Sequence, residues 1–466
     1  MQYIKRSIRD VRQTLWKPEG GKRGVRTGAA LLALCLSCWM SPSSTEAATF
    51  VVSSLSDSGP GTLRQAMADA SASGTDDTIT FSLNGLITLT SGSLTYSAAQ
   101  DLTINGNGPT LTRVSGGNAH QVFFINGNVG DIQIDNLSIL NGRTVGGNDG
   151  GGLGYTNLSA TVSSLTLSNI TVTDCSSARN GGGISVNSGG NLTTMVRFHF
   201  LNVSNNLAAP GNGGDGGGIF ITSDSFGGIP EGIDFEMTDS TIRNNNSEDN
   251  GGGIYIRDGV NVIRRCVFYG NASEDQGGAA YVRGTGTEAG LWTFDFINTT
   301  FSSNEARTDD GGAMYSTFEA TVRLDNCTVY GNVVNVNNRF GGGLWEQQGT
   351  LSIHNTILSE NFDLAPGLST DDAGGNDGDI DTEDYNITGI GTVTFAGGPK
   401  ANDLAVSGAA LMMLPILGLN GAANGVKTHM IFGGSPAIDA AELTGVGGTP
   451  TGAALATDLI HSNDME

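Results

Sequence analysis

Basic residues are scarce: 23 Lys and Arg stand against 46 Asp and Glu in 466 residues, a formal charge of −23. A surface so acidic repels phosphate backbones and anionic membranes, which excludes nucleic acid as a partner. Cysteine is sparse too, at five. Two of these, Cys35 and Cys38, fall in an N-terminal leader, and the remaining Cys175, Cys266 and Cys327 are an odd number that makes no disulfide framework. Proline numbers only 11 while apolar residues make up 38% of the chain. That composition is too aperiodic for collagen and too hydrophobic for a disordered tail, so the chain should fold. Long hydrophobic runs are missing as well. The run Gly28–Met40 has 13 residues, against the roughly 20 that span a bilayer as a helix.

That run follows eight basic residues, Lys5, Arg6, Arg9, Arg12, Lys17, Lys22, Arg23 and Arg26, and precedes the small-residue site around Ala47. The order basic, apolar, small predicts a signal peptide over residues 1–47 and an exported chain, extracellular or on the outer cell surface. Without the leader, 15 basic residues face 43 acidic ones.

What is abundant is glycine, 71 residues of it, and it recurs in a pattern. DGGGLGY, NGGGISV, DGGGIFI, NGGGIYI, QGGAAYV, DGGAMYS and FGGGLWE lie roughly thirty residues apart. Before these clusters stand NLSILNG, NITVTDC, FLNVSNN, DSTIRNN, RCVFYGN, NTTFSSN and NCTVYGN, with NTILSEN closing the series. They begin at residues 136, 169, 200, 239, 265, 298, 326 and 355. Their fourth position is always apolar: Ile139, Val172, Val203, Ile242, Phe268, Phe301, Val329 and Leu358. The seventh is Asn206, Asn245, Asn271, Asn304, Asn332 or Asn361 in six of eight, with Gly142 and Cys175 as exceptions.

A constant unit with loops of variable length, rich in β-branched residues alternating at period two and without helical periodicity, predicts a solenoid of stacked parallel strands. Like residues then fall on like residues about 4.8 Å apart. Glycine serves the corners, and the inward amides form a ladder. Cys266 and Cys327 share a column with Thr299 between them, too far apart to be bridged, and read as small buried fillers.

The first coil needs a plug. In SDSGPGTLRQAMADA, Thr62 heads a capping box with Gln65, and Leu63, Ala66, Met67 and Ala70 form one apolar stripe, which predicts a short helix. The expected organisation is a cap over 48–77, repeats over 78–361 beginning with strands at Thr78, and an acidic loop with C-terminal coils or cap over 362–466.

SDSGPGTLRQAMADA resembles the opening of secreted bacterial right-handed parallel β-helix proteins. GGAAYV with FYGN, and GGAMYS with FSSN, resemble the repeat of chlamydial polymorphic outer membrane proteins. The tail MMLPILGLNGAANGVKTHMIFGGSPAIDAAE is similar to the end of choice-of-anchor Q β-helix proteins. Together these matches cover most of residues 49–457. The resemblance implies an all-β, right-handed, pectin-lyase-like solenoid displayed on or released from the cell surface. Its partners would be cell-surface or matrix carbohydrate or protein, and the chain is expected to be a monomer.

Pectate lyases and polygalacturonases share that fold, so an enzyme is the alternative. The candidates are Asp149, Asp215, Asp309 and Asp310 before the glycine clusters, with Arg307 nearby. A glycosidase needs two carboxylates about 5–9.5 Å apart. The same column also holds Asn180, Asn250, Gln276 and Phe340, which favours turn capping over catalysis. In DDAGGNDGDIDTEDYN, Asp377, Asp379, Asp381 and Asp384 alternate as Ca²⁺ ligands often do, although Thr382 stands where an EF-hand loop carries glycine. A solvated acidic loop is the competing reading there.

Overall fold

The computed structural model describes residues 46–406, apart from 159–161, 190–192, 210, 212, 224–232, 286–291, 337–338, 364–368, 376–379, 390–392 and 394. Every described strand belongs to one of three sheets, of 22, eight and ten strands. All pairings among them are parallel except Phe362–Asp363 with Ser369–Thr370. Each regular coil contributes one strand to the ten-stranded sheet, then two to the 22-stranded sheet, then a two-residue strand to the eight-stranded sheet.

The inward files stack as the repeat demands. Ile139, Val172, Val203, Ile242, Phe268, Phe301, Val329 and Leu358 are direct partners from coil to coil. All eight are fully buried. The rings of Phe268 and Phe301 lie 5.1 Å apart and nearly parallel, so the coil repeat is also the stacking distance of the core.

The amide ladder runs beside this file. Asn206 donates through Nδ2 to Oδ1 of Asn245 at 2.9 Å, and the relay continues through Asn271, Asn304 and Asn332 to Asn361 at 2.8–3.0 Å. Each Oδ1 also accepts the backbone N–H of the preceding ladder residue. Each Nδ2 donates in addition to a backbone carbonyl, as Asn304 does to Phe268 at 3.1 Å. Two donors and two acceptor sites per buried amide are thereby used, which removes the penalty of burying it. Cys175 heads the ladder through its N–H to Asn206, and Asp372 ends it, accepting from Asn361 N and Nδ2 at 2.9 Å each. Asp372, part of the expected acidic loop, is instead fully buried.

Three corners per coil take the left-handed conformation. The first residue of each repeat unit does so, from Asn136 (φ 58°) and Asn169 (φ 53°) to Asn355 (φ 47°), and so does the sixth, as in Asn205 (φ 56°) and Gly331 (φ 68°). Asn, Asp and Gly reach this region at least cost, which is why they crowd these positions. The third corner is the glycine cluster. Gly181 supplies φ 64°, whereas its neighbour Gly182 has no left-handed torsion and is needed for space: an added Cβ would sit 2.3 Å from the Gly217 carbonyl oxygen one coil on.

Strands begin earlier than the expected Thr78. A first strand, β1 (Thr49–Val52), pairs in register with β2 (Asp77–Phe81), and the capping helix α1 (Leu63–Ser73) is inserted between them. TFVV is too short for its period to be read beside a leader. Thr62 caps α1 by accepting the N–H of Gln65 at 3.2 Å. The return half of the capping box is missing, because the Gln65 amide turns to Asp69 instead. Leu63, Ala66, Met67 and Ala70 are the buried stripe. The Asp57 carboxylate accepts from Arg64 Nη2 at 2.6 Å, from Thr90 N at 3.1 Å and from Ser91 N at 2.9 Å. Arg64 also donates to the carbonyls of Gly92 and Ser93. Burial alone would raise the Asp57 pKa, but the bonds from Ser91, Arg64 and Thr90 outweigh it and hold the carboxyl far below the usual range.

Candidate site at the acidic corner

The candidate carboxylates lie where the eight-stranded sheet turns into the ten-stranded one. The residue before each first glycine stacks on its equivalent one coil away: Asp149, Asn180, Asp215, Asn250, Gln276, Asp310 and Phe340. Their side chains form a second ladder. Asp149 Oδ1 accepts from Asn180 N, Asn180 Oδ1 from Asp215 N, and Asp215 Oδ1 from Asn250 N, each at 3.1 Å. Asn250 Oδ1 then accepts from Gln276 N at 3.3 Å, and Asp310 Oδ1 from Phe340 N at 2.7 Å. The turn-capping reading therefore describes what these oxygens do. Asp309 lies outside the column and turns to the Gln276 amide at 2.9 Å.

The corner is electrostatically crowded. Burial, with Asp249 adding repulsion, pushes the Asp215 carboxyl up to about 6. Burial and the neighbouring Asp309 do the same for Asp310, also to about 6. Asp149, Asp249, Asp275 and Asp371 are raised as well, burial leading in each. The expected basic partner Arg307 is elsewhere, 3.6 Å from Glu274 and 3.5 Å from Glu305. Arg339 takes that place, 2.8 Å from Asp309 and 4.0 Å from Asp310. Nothing in sequence spacing marks Arg339, since it reaches the corner across a coil boundary.

Beside the carboxylates runs a feature the sequence carries but the repeat alignment passes over. Four residues after the first glycine of the last five clusters stand Phe220, Tyr255, Tyr281, Tyr315 and Trp345, register partners on the outward side of the ten-stranded sheet. From Phe220 to Tyr315 the rings stack at 5.0–5.4 Å with interplanar angles of 4–27°. Phe340 stacks on Trp345 at 5.5 Å. Burial first, then Asp215, pushes the Tyr255 phenol up to about 12. Tyr281 and Tyr315 are raised further, again chiefly by burial. With their faces against one another, these rings offer no flat platform to a sugar.

Of the proposed Ca²⁺ ligands, Asp377 and Asp379 lie outside the described residues. Asp381 is exposed in a two-residue strand. Asp384 accepts from Asn402 N and Nδ2 at 2.8 Å each and from Tyr385 N at 3.1 Å. Desolvation is outweighed by these bonds, which lower its pKa. Asp384 is thus already occupied in pinning a turn. No group of three or more metal-ligating side chains converges among the described residues.

Two comparisons bear on identity. No curated protein matches the chain. Residues 214–361 match a family model described as a right handed beta helix region. That stretch holds five of the six ladder amides, from Asn245 to Asn361, and the whole aromatic file. With its three parallel sheets, ten strands deep on one side, the chain is a right-handed parallel β-helix protein.

Proposed function

We propose that the chain is an exported β-helix that serves as a structural or adhesive scaffold at the outer cell surface, presenting its acidic corner and variable loops to carbohydrate or protein. The observation that carries this reading is the second ladder. One carboxylate oxygen of each of Asp149, Asp215 and Asp310 accepts an inter-coil backbone N–H, a structural use in the stack of coils. The leader composition supports export, and kinship with the choice-of-anchor Q and chlamydial polymorphic families belongs to the same reading. Ca²⁺ held by Asp377, Asp379 and Asp381 would brace the C-terminal coils, with Asp384 contributing only if it leaves Asn402.

One observation favours a polysaccharide lyase or glycosidase: the Asp310 carboxyl is raised to about 6 and stands beside Asp309, which lies 2.8 Å from Arg339. A carboxyl that keeps its proton to about that pH, 4.0 Å from Arg339, is placed as a general acid would be. Incubation with uronic-acid polymers, with and without Ca²⁺, decides between them. The scaffold reading expects binding, no unsaturated product by ultraviolet absorbance and no new reducing ends, whereas a lyase gives the unsaturated product and a glycosidase gives reducing ends alone. Turnover that disappears in Asp310→Asn would replace it with the enzyme. Cell fractionation of chains with and without residues 1–47 tests export separately.

A further inference from the structure

Asp77, the first residue of β2, is only 3% exposed, and among the described residues it forms no ion pair with a basic side chain. Its carboxylate accepts from uncharged donors: the Ser73 hydroxyl, the Thr75 hydroxyl at 2.8 Å and the backbone N–H of Ala48 at 2.9 Å. Asp57, nearly as enclosed, is answered by the Arg64 guanidinium at 2.6 Å. The described charges around Asp77 are negative. α1 ends beside it at Ser73 with no basic residue in its last turn, which leaves the negative end of the helix dipole uncompensated. Asp101, whose carbonyl accepts the Asp77 N–H, and Asp76, whose carboxylate accepts the Asp101 N–H, share the corner. Burial first, then Asp77, Asp101 and Asp76, push the Tyr96 phenol there up to about 12. A carboxylate buried in such a place calls for a cation.

The donor that can become one is the Ala48 nitrogen, because it lies at the small-residue site of the leader. A cut after Ala47 puts Thr45 and Ala47 at the third and first positions before the bond, whereas a cut one residue later puts the charged Glu46 at the third. Glu46 and Ala47 are exposed, and Ala48 leads directly into β1. The Ala48 carbonyl accepts from Thr78 N at 2.9 Å, which holds its nitrogen over Asp77. Hydrolysis of the Ala47–Ala48 amide takes up one water, leaves a carboxylate on Ala47 and gives Ala48 an α-amino group that is mostly protonated at neutral pH. We propose that Asp77 is the receptor for the mature amino terminus: removal of the leader by an export endopeptidase turns the Ala48 amide into an ammonium that pairs with Asp77 and fastens β1 to β2. This rests on the export reading of residues 1–47. In the uncut chain the same nitrogen carries no charge, so the first coil gains its cation only on processing.

The test expresses the full chain, recovers the exported protein and reads its first residue by mass spectrometry. Trace acetylation with acetic anhydride from pH 6 to 11 then titrates the amino terminus, with the exposed Lys400 as internal standard. A first residue other than Ala48 overturns the export reading and the proposal together. A terminus at Ala48 that titrates near 8, as a free α-amino group does, overturns the proposal alone. The pairing predicts a midpoint at least about one unit higher, so that at pH 7 Ala48 reacts about tenfold more slowly than in Asp77→Asn. Since Asp77→Asn also weakens the bonds from Ser73 and Thr75, a second chain carries one serine inserted between Ala47 and Ala48, which keeps Asp77 and moves the ammonium away from it. Its denaturant midpoint should be lower than that of the unaltered exported chain at pH 7. The stabilising group has a raised folded pKa, so its contribution is complete below about 8 and is lost as pH rises through the folded value. The gap should therefore close by about pH 11. Equal midpoints at pH 7 would contradict the proposal.

Discussion

Individual residues here are judged by their neighbour one coil away. Asn304 takes part in six hydrogen bonds, four of them through its side chain and two of those to the side-chain amides of Asn271 and Asn332. Asn304→Ala should destabilise the chain by about 2–4 kcal/mol, because Asn271 loses its acceptor and is left buried. The exposed Thr308→Ala should cost well under 1 kcal/mol, and denaturant midpoints of the two variants check the contrast. Gly182→Ala should be as harmful as Asn304→Ala despite its ordinary torsion, since the new methyl meets the Gly217 carbonyl at 2.3 Å. Cys266 and Cys327 are more than fillers: their thiols point to the carbonyls of Arg264 and Phe296 at 3.2 Å each, as the Thr299 hydroxyl does to Ile297 at 3.1 Å. Burial pushes both thiols up to about 12, so neither should react with a thiol reagent until the chain unfolds.

Among elements, the acidic corner and the N-terminal cap answer pH and mutation in opposite senses. The Asp215 and Asp310 carboxyls are raised to about 6, so between pH 4 and 6 the unfolded chain gives up protons that the folded chain keeps. Stability from these two groups therefore falls as pH rises through that window and stays low above it. Asp215→Asn should raise the melting temperature at pH 7 and flatten its fall between pH 4 and 6, as followed by circular dichroism. Asp57, held low, loses its contribution only in strong acid. Arg64→Met should cost about 1–3 kcal/mol by removing the charged partner of Asp57, which keeps only its bonds from Thr90 and Ser91, with faster hydrogen exchange confined to the coils around β1, β2 and α1.

The helix and the repeat core were readable because caps and stacked files leave a fixed period in the chain. Leu63, Ala66, Met67 and Ala70 are the buried stripe, and the Asn206–Asn361 column is the ladder. Less readable were features that repeat by coil without a fixed residue type. The left-handed corners accept Phe200 and Arg265 as well as Asn, and the aromatic file mixes Phe, Tyr and Trp. Arg339, Asp372 and β1 could not be located at all without coordinates. Each acts through a partner 25 or more residues away or, for Asp372, across a turn of irregular length.

For the whole molecule, the consequence is one-dimensional. Each coil is held by the coils above and below it, so function has to be sought along the long faces rather than in an enclosed pocket. The central claim, register between successive coils, is tested most directly by pulsed electron-spin distances along one outward file. Thr166, Arg197, Glu236, Val262, Asp295, Arg323 and Ser352 are register partners in order. Spin labels at Thr166 paired with Asp295, Arg323 or Ser352 should lie about 19, 24 and 29 Å apart, a constant step of about 4.8 Å per coil. Distances that do not grow in equal steps would contradict the stacked solenoid and every assignment built on it.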